Sequence, residues 1–332
     1  MQNITASNPA TATDRALGTA DIKLLVVDID GTIAGLSNQI REPVKQAISA
    51  AQSRGVKVAV ATGRMYQSAL RFHSHIGSTL PLICYQGAWI QDVASQKRLR
   101  HLPLSKPRAL QLLEDFEVPE LRSLLSIHFY IDDKLYVPEI TTATRLYAER
   151  SGIEPNVIKD LRRDIPGEPT KVLALCQNPE VLDGLLISMR ERYTPAELYL
   201  TRSVATFFEA THPLANKGDA VKYLAEEILG LQAANVMAIG DNFNDLEMIS
   251  YAGVGVAMGN APDGVKAVAN WVAPDVEEDG VAICSNNNFP KIIGARHCRV
   301  PIILKMSFNR KSTDDWPCFV SVLLLVRSSH VH

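Results

Sequence analysis

Two groups of acidic residues, far apart in the chain, have the types and spacing to hold a divalent cation. The segment DIDGT at 28–32 follows an apolar run at 24–27, and GDNFND at 240–245 follows a second apolar run that begins at residue 236. Such runs are typical of buried parallel strands, and open α/β sheets bind ligands at the carboxyl ends of their strands. Carboxylate oxygens are ligands that Mg²⁺ prefers. We therefore expect both groups to meet at one sheet edge and to form a magnesium site.

Asp28 and Asp241 are the expected pair of metal ligands, because each directly follows its strand. Asp30 comes two residues after Asp28, so alternation along an extended chain points both carboxylates the same way. Two such acids repel each other and lose hydration, a cost that a cation or a reaction using both would offset. The alternative for this pair is a solvated strand end. For Asp245, capping of a helix N-terminus is weighed equally with metal contact.

Two further segments supply groups suited to phosphate oxygens. TGR at 62–64 follows the apolar run 56–61 and offers a hydroxyl, backbone N–H groups and a nearby helix start. Lys217, in NKG at 216–218, precedes a helix and would neutralise both a phosphate and the Asp28 carboxylate. Taken singly, TGR is a weak signal, and a surface position explains Lys217 better. The occurrence of four strand-end motifs in one order is what favours a phosphate site.

The elements that must position these segments alternate between strand and helix, which predicts βαβ units around a parallel sheet. The first part of the chain predicts strand 24–27, helix 41–54, strand 56–61, helix 65–76 and strand 81–85. The pattern returns with helix 219–229, strand 236–240, strand 254–258, helix 262–269 and strand 271–273. Between them, 127–131 and 135–137 predict a hairpin, and 171–176 predicts a strand before a helix at 179–193. The predicted fold class is therefore α/β, a doubly wound parallel sheet with an inserted α+β domain.

These changes of pattern predict two domains, one of them discontinuous, within 332 residues. The domain with the parallel sheet is expected at 21–88 and 206–283, and the inserted α+β domain at 89–205. Residues 1–20 are rich in Ser, Thr and Ala and lack a secretory apolar region, so they predict a disordered tail, with an organelle transit peptide as the alternative. Residues 284–332 carry seven Lys or Arg and two Asp, net +5, and predict an atypical basic C-terminal tail.

Composition narrows the class of protein. The chain has 46% hydrophobic and 21% charged residues, with 34 Lys and Arg against 36 Asp and Glu, a net charge of −2. This balance is typical of a globular protein and gives no overall basic field for nucleic acid or an anionic membrane. The five Cys lack metal-ligand spacing and are odd in number, which favours a reducing compartment. We expect a cytoplasmic protein, a monomer or weak homodimer, that binds neither nucleic acid nor membrane. Contact of the basic tail with RNA or lipid is the weaker alternative.

The combination of DIDGT at 28–32, TGR at 62–64, NKG at 216–218 and GDNFND at 240–245 resembles the haloacid dehalogenase-like (HAD) superfamily. Within it, the chain is most similar to the Cof-type, class IIB capped phosphatases. The resemblance covers roughly residues 22–283 and includes the long insertion between the second and third motifs. It implies a Rossmannoid HAD-like core, a C2B-type cap that selects the substrate, and a Mg²⁺-dependent hydrolase.

The resemblance also assigns a role to each motif residue. By it, Asp28 is the nucleophile and Asp30 the general acid/base. The residues assigned to the substrate phosphate are Thr62, Gly63, Lys217 and Asn244. The residues assigned to the metal are Asp28, Asp30, Asp241 and Asp245. A carboxylate that attacks a phosphate ester forms an aspartyl-phosphate, which splits hydrolysis into two steps.

Two departures from the family pattern accompany these matches. QGA at 86–88 stands where the family often has Asn-Gly-Ala, and the longer amide is expected to alter the pocket floor without removing a catalytic group. After DGVA at 279–282 the family commonly continues with a final helix, whereas unrelated sequence begins at Ile283. We therefore expect weaker packing of the core near Trp271.

The leading hypothesis is a Mg²⁺-dependent phosphatase that hydrolyses a small phosphomonoester, such as a sugar phosphate or a phosphorylated cofactor, through an aspartyl-phosphate. The alternatives are phosphoryl transfer to another alcohol, as in a phosphomutase, and binding of a phosphometabolite without catalysis. Selectivity should depend on the inserted segment. Its candidates are Tyr130, Tyr136 and Arg202, which packing or a solvated position explains equally well.

Overall fold

The structure, a computed structural model, describes residues 21–286. The strands are β1 (Leu24–Val27), β2 (Lys57–Val60), β3 (Leu82–Cys84), β4 (Trp89–Gln91), β5 (Arg98–His101), β6 (Ser126–Ile131), β7 (Lys134–Val137), β8 (Pro155–Val157), β9 (Lys171–Leu175), β10 (Tyr199–Thr201), β11 (Phe207–Thr211), β12 (Val236–Gly240), β13 (Val254–Ala257) and β14 (Trp271–Val272). The helices are α1 (Glu42–Ser53), α2 (Tyr66–His75), α3 (Lys106–Phe116), α4 (Thr142–Ser151), α5 (Pro179–Arg192), α6 (Lys217–Lys222), α7 (Leu246–Tyr251), α8 (Asp263–Lys266) and α9 (Gly280–Asn286). A π-helical turn, Tyr223–Ile228, extends α6.

A parallel sheet in the order β14-β13-β12-β1-β2 forms the centre of the fold. The four residues of β1 are all buried and alternate between two apolar clusters. Leu25 and Val27 pack in the cluster that includes α1 and α2. Leu24 and Val26 pack in the cluster that includes α6. Because helices cover both faces, the strand must be apolar on both, which explains the continuous apolar run. The predicted doubly wound α/β sheet is confirmed.

The predicted strand 81–85 forms as β3, but it belongs to a small antiparallel sheet, β3-β4-β5. An isolated parallel bridge between Ala61 and Ile83 joins it to the end of β2. The chain reverses directly after β3, where Tyr85 and Gln86 have φ of 53° and 59°. This turn sends the chain back as β4 instead of into a helix, so β3 contributes a single bridge to the parallel sheet.

A larger, six-stranded sheet has the order β10-β11-β9-β6-β7-β8 and is antiparallel except for the pair β7-β8. β6 and β7 form the predicted hairpin. α3 and α5 pack on this sheet through an apolar cluster that includes Phe116 and Leu182. Its strand β11 extends to Thr211, beyond residue 205, where the sequence places the end of the inserted domain. The division into domains itself stays a prediction.

The described chain ends in a helix, α9, which begins within the DGVA segment. Val281 and Ala282 are buried in the same apolar cluster as α1. Both side chains belong to the DGVA segment, and Ile283, the first residue of the unrelated sequence, is 49% exposed, so the expectation of weaker packing near Trp271 stays a prediction. The predicted tails 1–20 and 284–332 lie outside the described residues, apart from the last turn of α9. No helix within residues 21–286 has the length and apolarity that crossing a membrane requires.

The turn between β6 and β7 contacts the start of α2. Its residues Asp132 and Asp133 have φ of 45° and 58°, as tight hairpin turns require. The Asp133 carboxylate accepts hydrogen bonds from the backbone N–H groups of Tyr66 and Gln67, at 2.8 and 2.9 Å. It also accepts one from the Tyr85 hydroxyl at 2.7 Å. Asp133 thus satisfies N–H groups that the first turn of a helix leaves free, and it links the six-stranded sheet to α2.

We expect Asp133→Ala to lower the free energy of unfolding by about 2 kcal/mol, because it removes a helix cap and leaves the buried Tyr85 hydroxyl without its acceptor. Asp132→Ala is the matched control. It changes the same turn, also at positive φ, but its exposed side chain pairs with Arg98 at 3.6 Å, a contact worth little. Urea denaturation measures both losses. Equal losses in the two variants would contradict the capping role.

His128 on β6 is a buried titratable group with an unusual environment. Its Nε2 lies 2.9 Å from the Thr144 hydroxyl, and its Nδ1 has no hydrogen-bond partner among the described residues. Burial, followed by the charge of Lys171, lowers the pKa of His128 to about 3. A histidine in the unfolded chain has a pKa of about 6.5. Below that pH the unfolded chain takes up a proton that the folded protein does not, so stability is complete above the unfolded pKa and falls as the pH drops.

On account of His128 alone, the free energy of unfolding should fall by up to about 1.4 kcal/mol per pH unit between about pH 6 and pH 4. His128→Gln should lose this part of the slope. His75→Gln, at an exposed position of α2, should keep it. Urea denaturation at several pH values gives the slopes, and a wild-type slope in His128→Gln would refute the assignment.

Candidate active site

The two acidic segments meet at the carboxyl edge of the parallel sheet. β1 and β12 are neighbours, with Val27 opposite Ile239, so Asp28 and Asp241 leave the sheet side by side. Asp28, Asp241 and Asp245 each place a carboxylate oxygen within 4.8 Å of the others. The structure thus brings together side chains from both ends of the described chain. This acidic triad, Asp28, Asp241 and Asp245, is the centre of the candidate site.

Lys217 supplies positive charge behind the acidic triad. Its Nζ lies 2.8 Å from Oδ1 of Asp28 and 2.6 Å from Oδ1 of Asp245. The side chain is completely buried at the start of α6. Burial lowers the pKa of Lys217, but the charges of Asp245 and Asp28 outweigh it and raise the pKa, so the ammonium stays charged. The alternative of a surface lysine is therefore wrong.

Asp245 holds the loop that carries Asp241. Its Oδ2 accepts hydrogen bonds from the backbone N–H groups of Asp241 and Asn242, at 2.9 and 3.1 Å. Gly240 permits this close fit, because a Cβ there would lie 2.5 Å from the Cβ of Asp245. One oxygen of Asp245 therefore serves Lys217 and the other serves the loop. The capping role considered for Asp245 is present, and the same carboxylate also belongs to the acidic triad.

The acidic triad carries more negative charge than Lys217 offsets. Burial raises the pKa of Asp28 to about 7, with Lys217 opposing the rise and Asp245 adding to it. Burial and the charges of Asp245 and Asp28 raise the pKa of Asp241 well above its ordinary value. A buried excess of this kind is costly unless a cation balances it. Three carboxylates offering oxygen atoms alone fit a hard divalent cation such as Mg²⁺.

The DIDGT turn packs closely against Asp241. Gly31 has φ of 76°, and a Cβ there would lie 2.2 Å from Oδ2 of Asp241. The Thr32 hydroxyl donates to Oδ1 of Asp241 at 3.4 Å, and the Asn260 amide donates to Oδ2 at 3.2 Å. Only glycine tolerates both this backbone conformation and this approach. The turn after β1 therefore contributes to the orientation of a carboxylate delivered by β12.

Asp30 pairs with arginines and lies outside the acidic triad. Arg64 of the TGR segment donates to it from Nε at 2.7 Å and from Nη2 at 2.6 Å, and Arg150 of α4 lies 3.7 Å away. Burial raises the pKa of Asp30, but the hydrogen bonds and charge of Arg64 together outweigh it and hold the pKa below its ordinary value. Asp30 is therefore ionised in this arrangement. Its assigned roles as acid/base and metal ligand stay predictions.

A cavity of about 820 Å³ opens in front of Asp28, a size typical of ligand pockets. The predicted site residues that line it are Asp28, Asp30, Thr62, Gly63, Asp241 and Asn244. Lys217 and Asp245 lie behind Asp28 and contact it or each other without lining the cavity. The Thr62 hydroxyl accepts a hydrogen bond from the Arg64 N–H at 3.2 Å. The residues assigned to phosphate therefore surround one space, with Lys217 as the exception.

Sequence reasoning missed a buried polar network that joins the six-stranded sheet to this site. Lys171 donates to Glu209 at 2.9 Å and to the Gly63 carbonyl at 2.9 Å. The Gln86 amide lies 3.4 Å from both oxygens of Glu209 and accepts from Asn244 at 3.1 Å. A signal was available, since Lys171 and Glu209 are lone charges within the apolar strands β9 and β11. Buried charges of this kind are normally paired.

Sequence reasoning also missed the wall of the cavity that faces Asp30. α4 lines it with residues spaced like one helix face, namely Ala143, Leu146, Tyr147 and Arg150. The three candidates named for selectivity do not line the cavity. Tyr130 is fully buried, and Tyr136 packs against the apolar cluster of the six-stranded sheet. Arg202 pairs with Asp183. The helical spacing of these residues could have predicted that they share one face of α4, but not which part of the protein that face lies against.

The chain is similar to known proteins over most of its described length. A family model for haloacid dehalogenase-like hydrolases matches residues 25–284, from β1 into α9. The chain is 34% identical over 271 residues to YxeH of Bacillus subtilis (strain 168), which covers 78% of this chain and 96% of that protein. It is 30% identical over 262 residues to the 5-amino-6-(5-phospho-D-ribitylamino)uracil phosphatase YcsE of the same organism, covering 79% and 94%. A solved haloacid dehalogenase-like hydrolase from B. subtilis has a TM-score of 0.69 at 26% identity, covering 80% of this chain and 100% of that chain.

We expect Mg²⁺ to bind the folded protein at the acidic triad and to raise its Tm. Asp241→Asn should weaken Mg²⁺ binding by about tenfold or more, because it removes a carboxylate of the triad. Asp263→Asn, at an exposed position of α8, makes the same change of charge and should bind like the wild type.

Titration calorimetry with magnesium chloride measures this affinity. Affinity is the decisive quantity, since Asp241→Asn also relieves repulsion and can raise the Tm of the metal-free protein. Identical affinities in the wild type and in both variants would place the ion elsewhere.

Proposed function

The chain belongs to the haloacid dehalogenase-like hydrolase family and is a phosphatase, and from this premise we propose that it hydrolyses a small phosphomonoester with Mg²⁺ through an aspartyl-phosphate. The observation that carries the proposal is the meeting of the acidic triad with Lys217 at the edge of a ligand-sized cavity. Sugar phosphates and phosphorylated cofactors are the proposed substrate class. The relative YcsE acts, by its name, on a ribitylamino-uracil phosphate.

Asp28 is the proposed nucleophile. Lys217 binds its Oδ1 at 2.8 Å, which leaves Oδ2 for attack on phosphorus. The bond from phosphorus to the alcohol oxygen breaks as the bond to Asp28 forms. Attack requires the ionised carboxylate, and burial, opposed by Lys217 and reinforced by the charges of Asp245 and Asp30, raises the pKa of Asp28 to about 7. A bound cation would favour the ionised form further and so support attack at neutral pH.

Asp30 is the proposed general acid and base. It would protonate the leaving alcohol and then take a proton from the water that hydrolyses the aspartyl-phosphate. The pairing with Arg64 favours the ionised form, which suits the second step. The first step needs a protonated Asp30 and so requires weaker contact with Arg64. The side chain is about one-third exposed, which leaves it room for this change.

The residues proposed to hold Mg²⁺ are Asp28, Asp30, Asp241 and Asp245, of which Asp28, Asp241 and Asp245 form the acidic triad. When bound, the cation would offset the negative charge of the carboxylates and of the phosphoryl group. The Thr62 hydroxyl, the Gly63 N–H and the Asn244 amide are proposed to bind phosphate oxygens, and all three line the cavity. Lys217 would then act mainly through Asp28, whose carboxylate it contacts.

We propose a catalytic core, predicted at 21–88 and 206–283, and a cap, predicted at 89–205, with the second boundary moved past Thr211 because β11 lies between β10 and β9 in the sheet of the cap. Hydrogen bonds from α2 to Asp133 join the two proposed parts. A cytoplasmic location, a monomeric or weakly dimeric state and a small phosphorylated metabolite as the partner remain part of the proposal.

The purified protein should release phosphate from small phosphomonoesters when Mg²⁺ is present and lose this activity with EDTA. Asp28→Asn preserves the size of the side chain but removes the nucleophile, so it should lower kcat by about a thousandfold or more. Phosphate release from an aryl phosphate, a hexose phosphate and the substrate named for YcsE measures the effect. Asp263→Asn controls for the loss of one negative charge and should retain activity.

The covalent step has its own readout. Acid-quenched wild-type enzyme should carry label from a phosphate-labelled substrate, and Asp28→Asn should carry none. Turnover without any labelled enzyme would argue against an aspartyl-phosphate, and wild-type turnover in Asp28→Asn would exclude Asp28 as the nucleophile. Transfer of the label to an added alcohol in preference to water would identify a phosphotransferase.

A further inference from the structure

We propose that the substrate's leaving group is an alcohol bearing an aromatic ring, which packs against an apolar wall of the cavity. The wall consists of Leu146 and Tyr147 from α4, Leu175 from β9 and Phe207 from β11. The inference rests on the proposed phosphatase function, because it names the part of the substrate that carries the phosphate. Neither the sequence motifs nor the comparisons assign a role to these four residues.

The wall begins where the leaving oxygen would be protonated. Arg150, Tyr147, Leu146 and Ala143 line the cavity from one face of α4. Arg150 lies 3.7 Å from Asp30 and therefore marks the reacting end. Leu146 and Tyr147 lie roughly one helical turn, about 5 Å, from Arg150 along the axis of α4. A ring joined to the phosphate through one carbon would reach this position.

Aromatic side chains give the wall its preference for a planar ring. The rings of Tyr147 and Phe207 meet edge to face, with centroids 5.7 Å apart and planes at 64°. Tyr130 supports Tyr147 from the buried side, at 6.4 Å and 73°. These contacts hold both rings in place before any ligand binds. Aromatic pairs contribute more than the area they bury, so a planar ligand gains over an aliphatic one of equal size.

Large apolar side chains around the cavity are exposed and would be covered by such a ring. Leu36 is 88% exposed, Leu146 is 57% exposed and Val204 is 39% exposed, and all three line the cavity. Leu36 lies next to Arg150, whose guanidinium donates to its carbonyl at 3.4 Å. Covering apolar surface is favourable, whereas a sugar would lose hydration against this wall. The nearby Ser203 hydroxyl is already committed to Glu209.

The matched substrates are benzyl phosphate and glucose 6-phosphate, because in both a primary carbon bears the phosphate and the leaving alcohols differ mainly in the attached ring. We expect kcat/KM for benzyl phosphate to exceed that for glucose 6-phosphate by about tenfold or more, with cyclohexylmethyl phosphate in between. Equal values, or a preference for the sugar, would overturn the inference and leave the phosphatase function intact. Failure to hydrolyse any ester would instead refute the phosphatase function.

Two variants separate the wall from general damage. Leu146→Asn places an amide on an exposed position, and Tyr147→Leu removes a ring while keeping an apolar side chain. Each should lower kcat/KM for benzyl phosphate about fivefold more than that for glucose 6-phosphate. Ile187→Asn, at a position of α5 that is 62% exposed and outside the cavity, is the control and should match the wild type with both substrates. Equal losses with both substrates in the α4 variants would show that the wall does not select a ring.

Discussion

A buried excess of negative charge at one edge of the parallel sheet is the constraint on which the site depends. Asp28, Asp241 and Asp245 converge there, and a single ammonium group, that of Lys217, lies against them. Backbone N–H groups reduce the cost through Asp245, but burial, together with the charges of the neighbouring carboxylates, still raises the pKa of Asp28 and of Asp241. So costly an arrangement is expected where a cation and a phosphoryl group make use of it.

The six-stranded sheet stabilises the site as well as covering it. Lys171 holds the carbonyl of Gly63, and its partner Glu209 holds Gln86, which in turn orients Asn244. A Cβ at Gly63 would lie 2.3 Å from the Gln86 amide nitrogen, so the absence of a side chain there lets Gln86 pack against this segment. The longer amide side chain of Gln86 therefore connects Asn244, a predicted phosphate-binding residue, to the Glu209 carboxylate of the six-stranded sheet.

The residues proposed to act on the phosphate and those proposed to contact the leaving group lie on different elements. The loops after β1, β2 and β12 carry the residues that would act on phosphorus, whereas α4, β9 and β11 carry the apolar wall. Arg150 joins the two groups through its contacts with Asp30 and with the carbonyl of Leu36. A chain built in this way can change its preferred alcohol by substitution on α4 without disturbing the acidic triad.

The sequence by itself determined the parallel sheet and the edge at which Asp28 and Asp241 meet, because continuous apolar runs and strand ends are local patterns. It also located the predicted phosphate-binding segment, which follows β2. Only the tertiary structure decided that Asp30 pairs with Arg64, that Lys171 pairs with Glu209 and that one face of α4 completes the cavity. These contacts join residues remote in the chain. The lone charges of Lys171 and Glu209 indicate that each is paired, but the choice of partner depends on packing and desolvation in three dimensions, which a one-dimensional pattern does not specify.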